Sequence, residues 1–221
     1  MTQRIQAVAF DLDGLMFNTE MVYDRVGEIM LERRGKTLDP EVVAKMMGRQ
    51  SQIALQIMID SYGLGDTVPQ LEEEAEELFL GLIVDLAAPM PGLMELLDQL
   101  EMLQIPKAIT TSSRWKAVEP LLKMANLEDR FAFRLTAEDV TNSKPDPEIY
   151  LKATAKFHVA AEQLLVLEDS MVGCQAAVAA GATVVAVPSK YIDHHDFSGA
   201  EAVVESLETR EIYALVEQGR V

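Results

Sequence analysis

From residue 92 onward the chain alternates amphipathic segments of helical period with short apolar runs. No other feature limits the fold as much, because a parallel strand needs a crossover connection before the next can lie beside it. The patterns predict helix 92–103 before strand 106–111, helix 115–125 before a short strand 133–136, and helix 147–157 before strand 164–168. Helix 172–180 then precedes strand 183–187, and a weak strand 202–204 precedes helix 208–218. A further strand, 5–11, carries Ala7-Val8-Ala9-Phe10, apolar on both faces as a covered parallel strand must be. Between that strand and residue 92 only helical patterns occur, at 21–34, 41–47, 51–62 and 70–86, with Gly35 and Gly63 as stops. The expectation is an α/β, doubly wound parallel sheet built from residues 1–15 and 92–221. An all-helical block, 16–91, is inserted after the first strand.

Composition narrows what such a chain can meet. The 221 residues are 49% hydrophobic, ample for a core, and carry 36 acidic against 19 basic residues, a net charge of −17. That excess argues against a nucleic-acid or anionic-membrane surface, which needs basic patches. It also means that any phosphate must meet locally supplied positive charge. One cysteine, Cys174, precludes an internal disulfide and suits a reducing, cytoplasmic compartment. No secretory leader is expected, because Asp11 and Asp13 follow a very short apolar stretch. No run approaches the ~20 apolar residues of a membrane helix. Nothing in the sequence sets the oligomeric state.

Polar residues gather at four strand ends. Asp11-Leu12-Asp13-Gly14 follows the first strand. Thr110-Thr111-Ser112-Ser113 ends the second, Lys144 lies in Ser143-Lys144-Pro145-Asp146-Pro147, and Glu168-Asp169-Ser170 ends Leu164-Leu165-Val166-Leu167. A parallel sheet brings those ends to one edge, where open α/β sheets bind ligands. Carboxylates so placed repel one another and call for a cation. Mg²⁺ suits oxygen donors and a phosphate. The prolines at 145 and 147 disfavour helix at Lys144 and present it from a loop. Thr111 and the backbone N–H groups beside it suit phosphate oxygens, although Thr111 is also a candidate cap for the following helix.

Taken together, Asp11-x-Asp13-Gly14, Thr111, Lys144-Pro145 and Glu168-Asp169 resemble the four motifs of the haloacid dehalogenase superfamily. Its members have a Rossmann-like core. The stretches 11–20, 144–150 and 167–173, with Ala179-Ala180-Gly181-Ala182, resemble its β-phosphoglucomutase and small-metabolite phosphatase branch. The resemblance implies that Asp11 attacks phosphorus to form an aspartyl-phosphate. Asp13 protonates the leaving oxygen, then deprotonates the attacking water. Mg²⁺ is held by Asp11, the Asp13 carbonyl and Asp169, with Glu168 a ligand or a partner one step behind. Thr111 and Ser112 bind phosphate, and Lys144 neutralises charge. Dehalogenases lack the second acid, so Asp13 points to phosphoryl transfer. The inserted helices resemble the superfamily's cap, which selects the leaving group. Arg49, in Gly48-Arg49-Gln50-Ser51, and Arg114 are candidate substrate contacts.

The resemblance is not uniform. Mutases of this branch carry a His where this chain has Tyr23, and a cationic cap residue where 70–90 holds no Lys or Arg. Asn18 replaces a common Asp, and Ser143 a common Gly. The expected function is therefore hydrolysis of a small phosphorylated metabolite. Sugar-phosphate mutation is the alternative enzyme, and metabolite binding without catalysis the alternative class. Other features have plainer readings. Asp193-His194-His195-Asp196 lacks spaced partner ligands and reads as a surface loop. Glu72–Glu77 reads as a solvated helix face, His158 as a helix end and Cys174 as a buried small hydrophobe.

Overall fold

The computed structural model describes residues 4–46, 51–188 and 196–218. Strand β1 (Ala7–Phe10) is buried along its whole length. It lies at the centre of a sheet with β2 (Lys107–Thr110), β3 (Phe133–Leu135), β4 (Leu164–Glu168), β5 (Thr183–Ala186) and β6 (Ala202–Val203). The order is β3-β2-β1-β4-β5-β6, and every neighbouring pair is parallel. The order reverses between β1 and β4, the point at which such a sheet opens a crevice beyond its strand ends. Register then sets what faces that crevice. Phe10 pairs with both Ile109 and Leu167, so Asp11 stands level with Thr110 and Glu168.

Alternation along each strand divides the core between two faces. Ala7 and Ala9, Leu164 and Val166, and Val184 and Ala186 share one face. There they pack with Ile149, Tyr150 and Ala153 of helix α7 (Glu148–Phe157) and Cys174, Ala176 and Ala177 of α8 (Met171–Ala179). The small residues of α8 let it approach the sheet closely, and burial pushes the Cys174 thiol up, out of reach of ionisation at neutral pH. On the other face Phe10 meets Phe131 edge-on, with ring centroids 6.0 Å apart. Helices α5 (Leu93–Met102), α6 (Trp115–Met124) and α9 (Arg210–Glu217) each bury an apolar stripe. Gln99 of α5 donates to Glu217 of α9 at 2.9 Å. Gly92 introduces α5 with φ +83°, and a Cβ there would stand 2.7 Å from the Glu208 nitrogen, so both conformation and space demand glycine. Lys107, although buried in a strand, pairs its ammonium with Glu101 at 2.7 Å.

Two short 3₁₀ turns, Ala137–Asp139 and Ala161–Gln163, lie between β3 and α7 and between α7 and β4. Asp139 accepts the Thr136 N–H at 2.9 Å and Gln163 the Ala160 N–H at 3.0 Å, which stabilises one tight turn in each place. His158 closes α7 in the left-handed region with φ +57°.

The chain forms two compact units, Met1–Asn18 with Ala88–Val221, and Thr19–Ala87. Residues 16–18 and 88–91 go with the sheet because they pair with each other. The Met90 N–H donates to the Met16 carbonyl at 2.8 Å, and the Ala88 N–H to the Asn18 side-chain oxygen at 2.6 Å. The side-chain oxygen of Asn18 thus serves as an acceptor that ties together the segments entering and leaving the insert.

The second unit contains α1 (Thr19–Glu32), α2 (Pro40–Met46), α3 (Ser51–Tyr62) and α4 (Val68–Leu86). Tyr23 of α1 stacks on Phe79 of α4 at 4.6 Å. The acidic run on α4 is not wholly solvated. Glu74 takes Arg33 at 2.8 Å and Arg34 at 2.6 Å, and Arg34 also grips Asp66 at 2.8 Å. These ties hold Glu74 below the usual carboxylate range. Among the described residues no helix is long and apolar enough to cross a membrane.

Candidate active site

Asp11 leaves β1 with its N–H bonded to the Leu167 carbonyl at 3.0 Å, which extends the sheet register by one residue and directs the side chain into the crevice. The chain then turns tightly. Met16 and Phe17 both donate to the Leu12 carbonyl, and the Gly14 N–H donates to Phe17 at 2.8 Å. Gly14 adopts φ +78°, and a Cβ there would fall 2.2 Å from the Asp169 Oδ2. Glycine is required both for the turn and for the approach of that carboxylate.

Lys144 reaches the same point from the loop before α7, beside a cis Lys144-Pro145 bond. Its Nζ donates to Asp11 Oδ1 at 2.6 Å, to Glu168 Oε1 at 2.5 Å and to the Thr110 carbonyl at 2.9 Å. Three acceptors match its three protons. Burial opposes the charge on Lys144, but the Asp11 and Glu168 carboxylates more than offset it and hold the ammonium well above its usual range. Burial pushes the Asp11 carboxyl up to about 8, aided by Glu168 and Asp13 and opposed by Lys144.

Glu168 is fully buried and fully engaged. Its Oε1 also accepts the Tyr150 hydroxyl at 2.6 Å, and its Oε2 accepts the Ser170 hydroxyl at 2.9 Å and N–H at 3.3 Å. Burial and Glu168 raise the Tyr150 phenol well above its usual range, so it remains a donor. Ser170 caps α8 by accepting the Gly173 N–H at 3.1 Å. A Cβ on Gly173 would lie 2.0 Å from the Glu168 carboxyl carbon. Gly173→Ala is therefore expected to cost about 1–3 kcal/mol from overpacking and to displace Glu168 from Lys144. Urea unfolding together with rate measurements checks this. Wild-type stability and rate would show that Glu168 has room to swing aside.

One carboxylate oxygen from each of Asp11, Glu168 and Asp169 lies within 4.8 Å of the others, and all three residues are buried. Oxygen donors alone, more negative than Lys144 can neutralise, form a donor set suited to a hard divalent cation.

The second strand's loop divides its hydroxyls. Thr111, 1% exposed, accepts the Ser113 N–H at 3.0 Å and lies 3.4 Å from Asp13 Oδ2. It does not cap α6, whose N-cap residue is Arg114. Ser112 is exposed, whereas Ser113 donates to Asp13 Oδ2 at 2.5 Å. Arg114 is exposed and lines a depression of about 420 Å³ with Ala137 and Glu138. The structure thus gathers Asp11, Asp13, Thr111, Lys144, Glu168 and Asp169, and leaves Ser112 and Arg114 outside this bonded cluster. Arg49 and residues 193–195 lie outside the described residues. Asp196, the last of that run, accepts the Ser198 N–H at 2.9 Å. Sequence reading missed Ser113, Tyr150 and Gly173 as site residues. Tyr150 and Gly173 stand within the quoted motif stretches, but only the fold shows that both serve Glu168.

A doubly wound parallel sheet with acids at its reversal point and one buried lysine between them defines a class of phosphoryl-handling α/β enzyme. Comparison with known proteins agrees. The chain belongs to the haloacid dehalogenase-like hydrolases, whose family model matches residues 8–187. It is 29% identical to the phosphorylated carbohydrates phosphatase of Thermotoga maritima, over 80% of this chain and 82% of that protein. It is 32% identical to (DL)-glycerol-3-phosphatase 2 of Arabidopsis thaliana, over 92% and 88%. A HAD family hydrolase from Deinococcus radiodurans, solved with bound phosphate and sodium, superposes with a TM-score of 0.78 at 26% identity, covering 96% of this chain and 95% of that one. The chain is an enzyme of this hydrolase family, in the phosphatase branch that these relatives represent.

Proposed function

We propose that the enzyme hydrolyses a small phosphorylated metabolite through a phospho-Asp11 intermediate and requires Mg²⁺. The observation that carries this reading is the placement of Asp11. It lies at the sheet's reversal point, bonded to the one lysine of the cluster and with oxygens of Glu168 and Asp169 close by. Asp11, Asp169 and the Asp13 backbone carbonyl would hold the cation. It would screen Asp11 from the incoming dianion and polarise the phosphoryl group. Glu168 would act one step behind, because Lys144, Tyr150 and Ser170 already occupy both its oxygens.

The chain's own groups then account for the chemistry. Asp11 attacks phosphorus as the P–O bond to the leaving alcohol breaks, and Asp13 gives that alcohol a proton. Asp13, now a carboxylate, takes a proton from water. The water oxygen attacks phosphorus, and Asp11 is released with inorganic phosphate. Lys144 and Thr111 balance and bind the phosphoryl oxygens. The mutase alternative is disfavoured. Tyr23 offers no imidazole and stacks on Phe79, and residues 70–90 bring no cation for a second phosphate. The helical unit would choose among leaving groups, with sugar phosphates and glycerol phosphates the first to try.

The test is release of inorganic phosphate from a panel of phosphorylated metabolites, with and without EDTA. Release that stops with EDTA and returns with Mg²⁺ is expected. Undiminished release after complete chelation would overturn the metal assignment, and isomerised sugar phosphate without release would restore the mutase.

A further inference from the structure

Within that proposed phosphatase reading, we infer that Ser113 is a positioning residue for Asp13 and that its hydroxyl sets the efficiency of proton delivery to the leaving oxygen. The donor is held rigidly. The Ser113 N–H is bound to Thr111 Oγ1 at 3.0 Å, and its carbonyl accepts the Ala137 N–H at 3.0 Å. The loop is thereby tied on one side to β2 and on the other to the Ala137–Asp139 turn. From that anchor the hydroxyl reaches Asp13 Oδ2 at 2.5 Å, whereas the Thr111 hydroxyl lies at a marginal 3.4 Å. The two hydroxyls therefore divide the work. Thr111 remains available to a phosphoryl oxygen. Ser113 holds Oδ2 and leaves Oδ1 as the oxygen that carries and delivers the proton. Asp13 sits on the turn that follows β1, only partly buried, so it depends on such a contact to keep a single rotamer. Because the loop backbone is anchored, loss of the hydroxyl alters the acid's aim and leaves the phosphate cradle in place.

This gives a leaving-group signature. The alcohol departs when Asp11 is phosphorylated, and kcat/KM reports that step and not the later hydrolysis. An alkyl oxygen needs a proton to leave, while p-nitrophenolate leaves without one. Ser113→Ala is expected to lower kcat/KM on glycerol 3-phosphate, or on the best alkyl phosphate of the panel, on the order of 10-fold or more. The same variant should keep kcat/KM on p-nitrophenyl phosphate within about 2-fold, since nucleophile, lysine and phosphate contacts are intact. Ser113→Thr, which keeps the hydroxyl, should recover most of the alkyl rate. An equal loss on both substrates, or no loss on either, would overturn the positioning role while leaving the phosphatase reading intact. A wild-type enzyme that cleaves neither substrate, nor any other monoester of the panel, would instead overturn the phosphatase reading and the inference with it.

Discussion

Asp11→Asn is expected to abolish phosphate release, by on the order of 10⁴-fold or more, while the protein remains folded. An amide can still accept the Lys144 proton that Asp11 Oδ1 accepts at 2.6 Å, but it cannot form the acyl phosphate. Stability should respond in the opposite sense to activity. In the metal-free protein burial raises the Asp11 carboxyl from 3.8 to about 8, so the folded state binds that proton more tightly than the unfolded state does. Folding stability then falls as pH rises from about 4 to about 8, because ionisation must occur in a buried site. The asparagine variant lacks this penalty. Its thermal midpoint in EDTA at pH 8 should equal or exceed that of the wild type, and the two should converge near pH 4. An asparagine enzyme that still turns over would remove Asp11 as nucleophile. One that melts well below the wild type at pH 8 would show that the carboxylate is a net structural asset.

Lys144→Met should produce the largest loss of stability. The side chains involved are 5% exposed for Lys144, 10% for Asp11 and 0% for Glu168, so little solvent is at hand to replace the ammonium. Removing one partner of a buried pair leaves the remaining charge uncompensated, that of Glu168 at neutral pH and that of Asp11 as well above about pH 8, at a typical cost of about 3–5 kcal/mol. Tyr150 and Ser170 still serve Glu168, whereas Asp11 loses its only cation in the bonded cluster. Turnover should fall by on the order of 10²-fold or more, because charge on the transferring phosphoryl group is no longer balanced. Urea unfolding in EDTA measures the first effect. Saturating Mg²⁺ should recover part of the stability, since a cation bound to the folded state alone stabilises it by mass action. An unchanged unfolding midpoint in EDTA would mean that the carboxylates share protons and have no need of the ammonium.

Much of this architecture is legible in the linear chain, for a local reason. The alternation beginning at residue 92 reports which side of each segment is buried, and burial within a strand or helix follows its own period. Parallel strands end at a common edge, so topology alone gathers Asp11, Thr111 and Glu168-Asp169, while Lys144 joins them from the loop before α7. Element ends shifted by a residue or two where caps decided them, as at α4, which starts at Val68 behind its Thr67 cap, two residues before the expected 70.

What the amino-acid sequence determined by itself was the α/β class, the all-helical insert, the set of acids and hydroxyls at the strand ends and the loop lysine held among prolines. Only the tertiary structure decided how those groups are bonded. It chose Ser113 over its neighbour Ser112 as the donor to Asp13, a contact across 100 positions of chain. It filled both oxygens of Glu168 from Lys144, Tyr150 and Ser170, and set the bare Cα of Gly173 against that carboxyl group. Periodicity constrains a residue's face but not its rotamer. Hydrogen bonds between distant side chains depend on strand order and register, which long-range packing selects and no local pattern encodes.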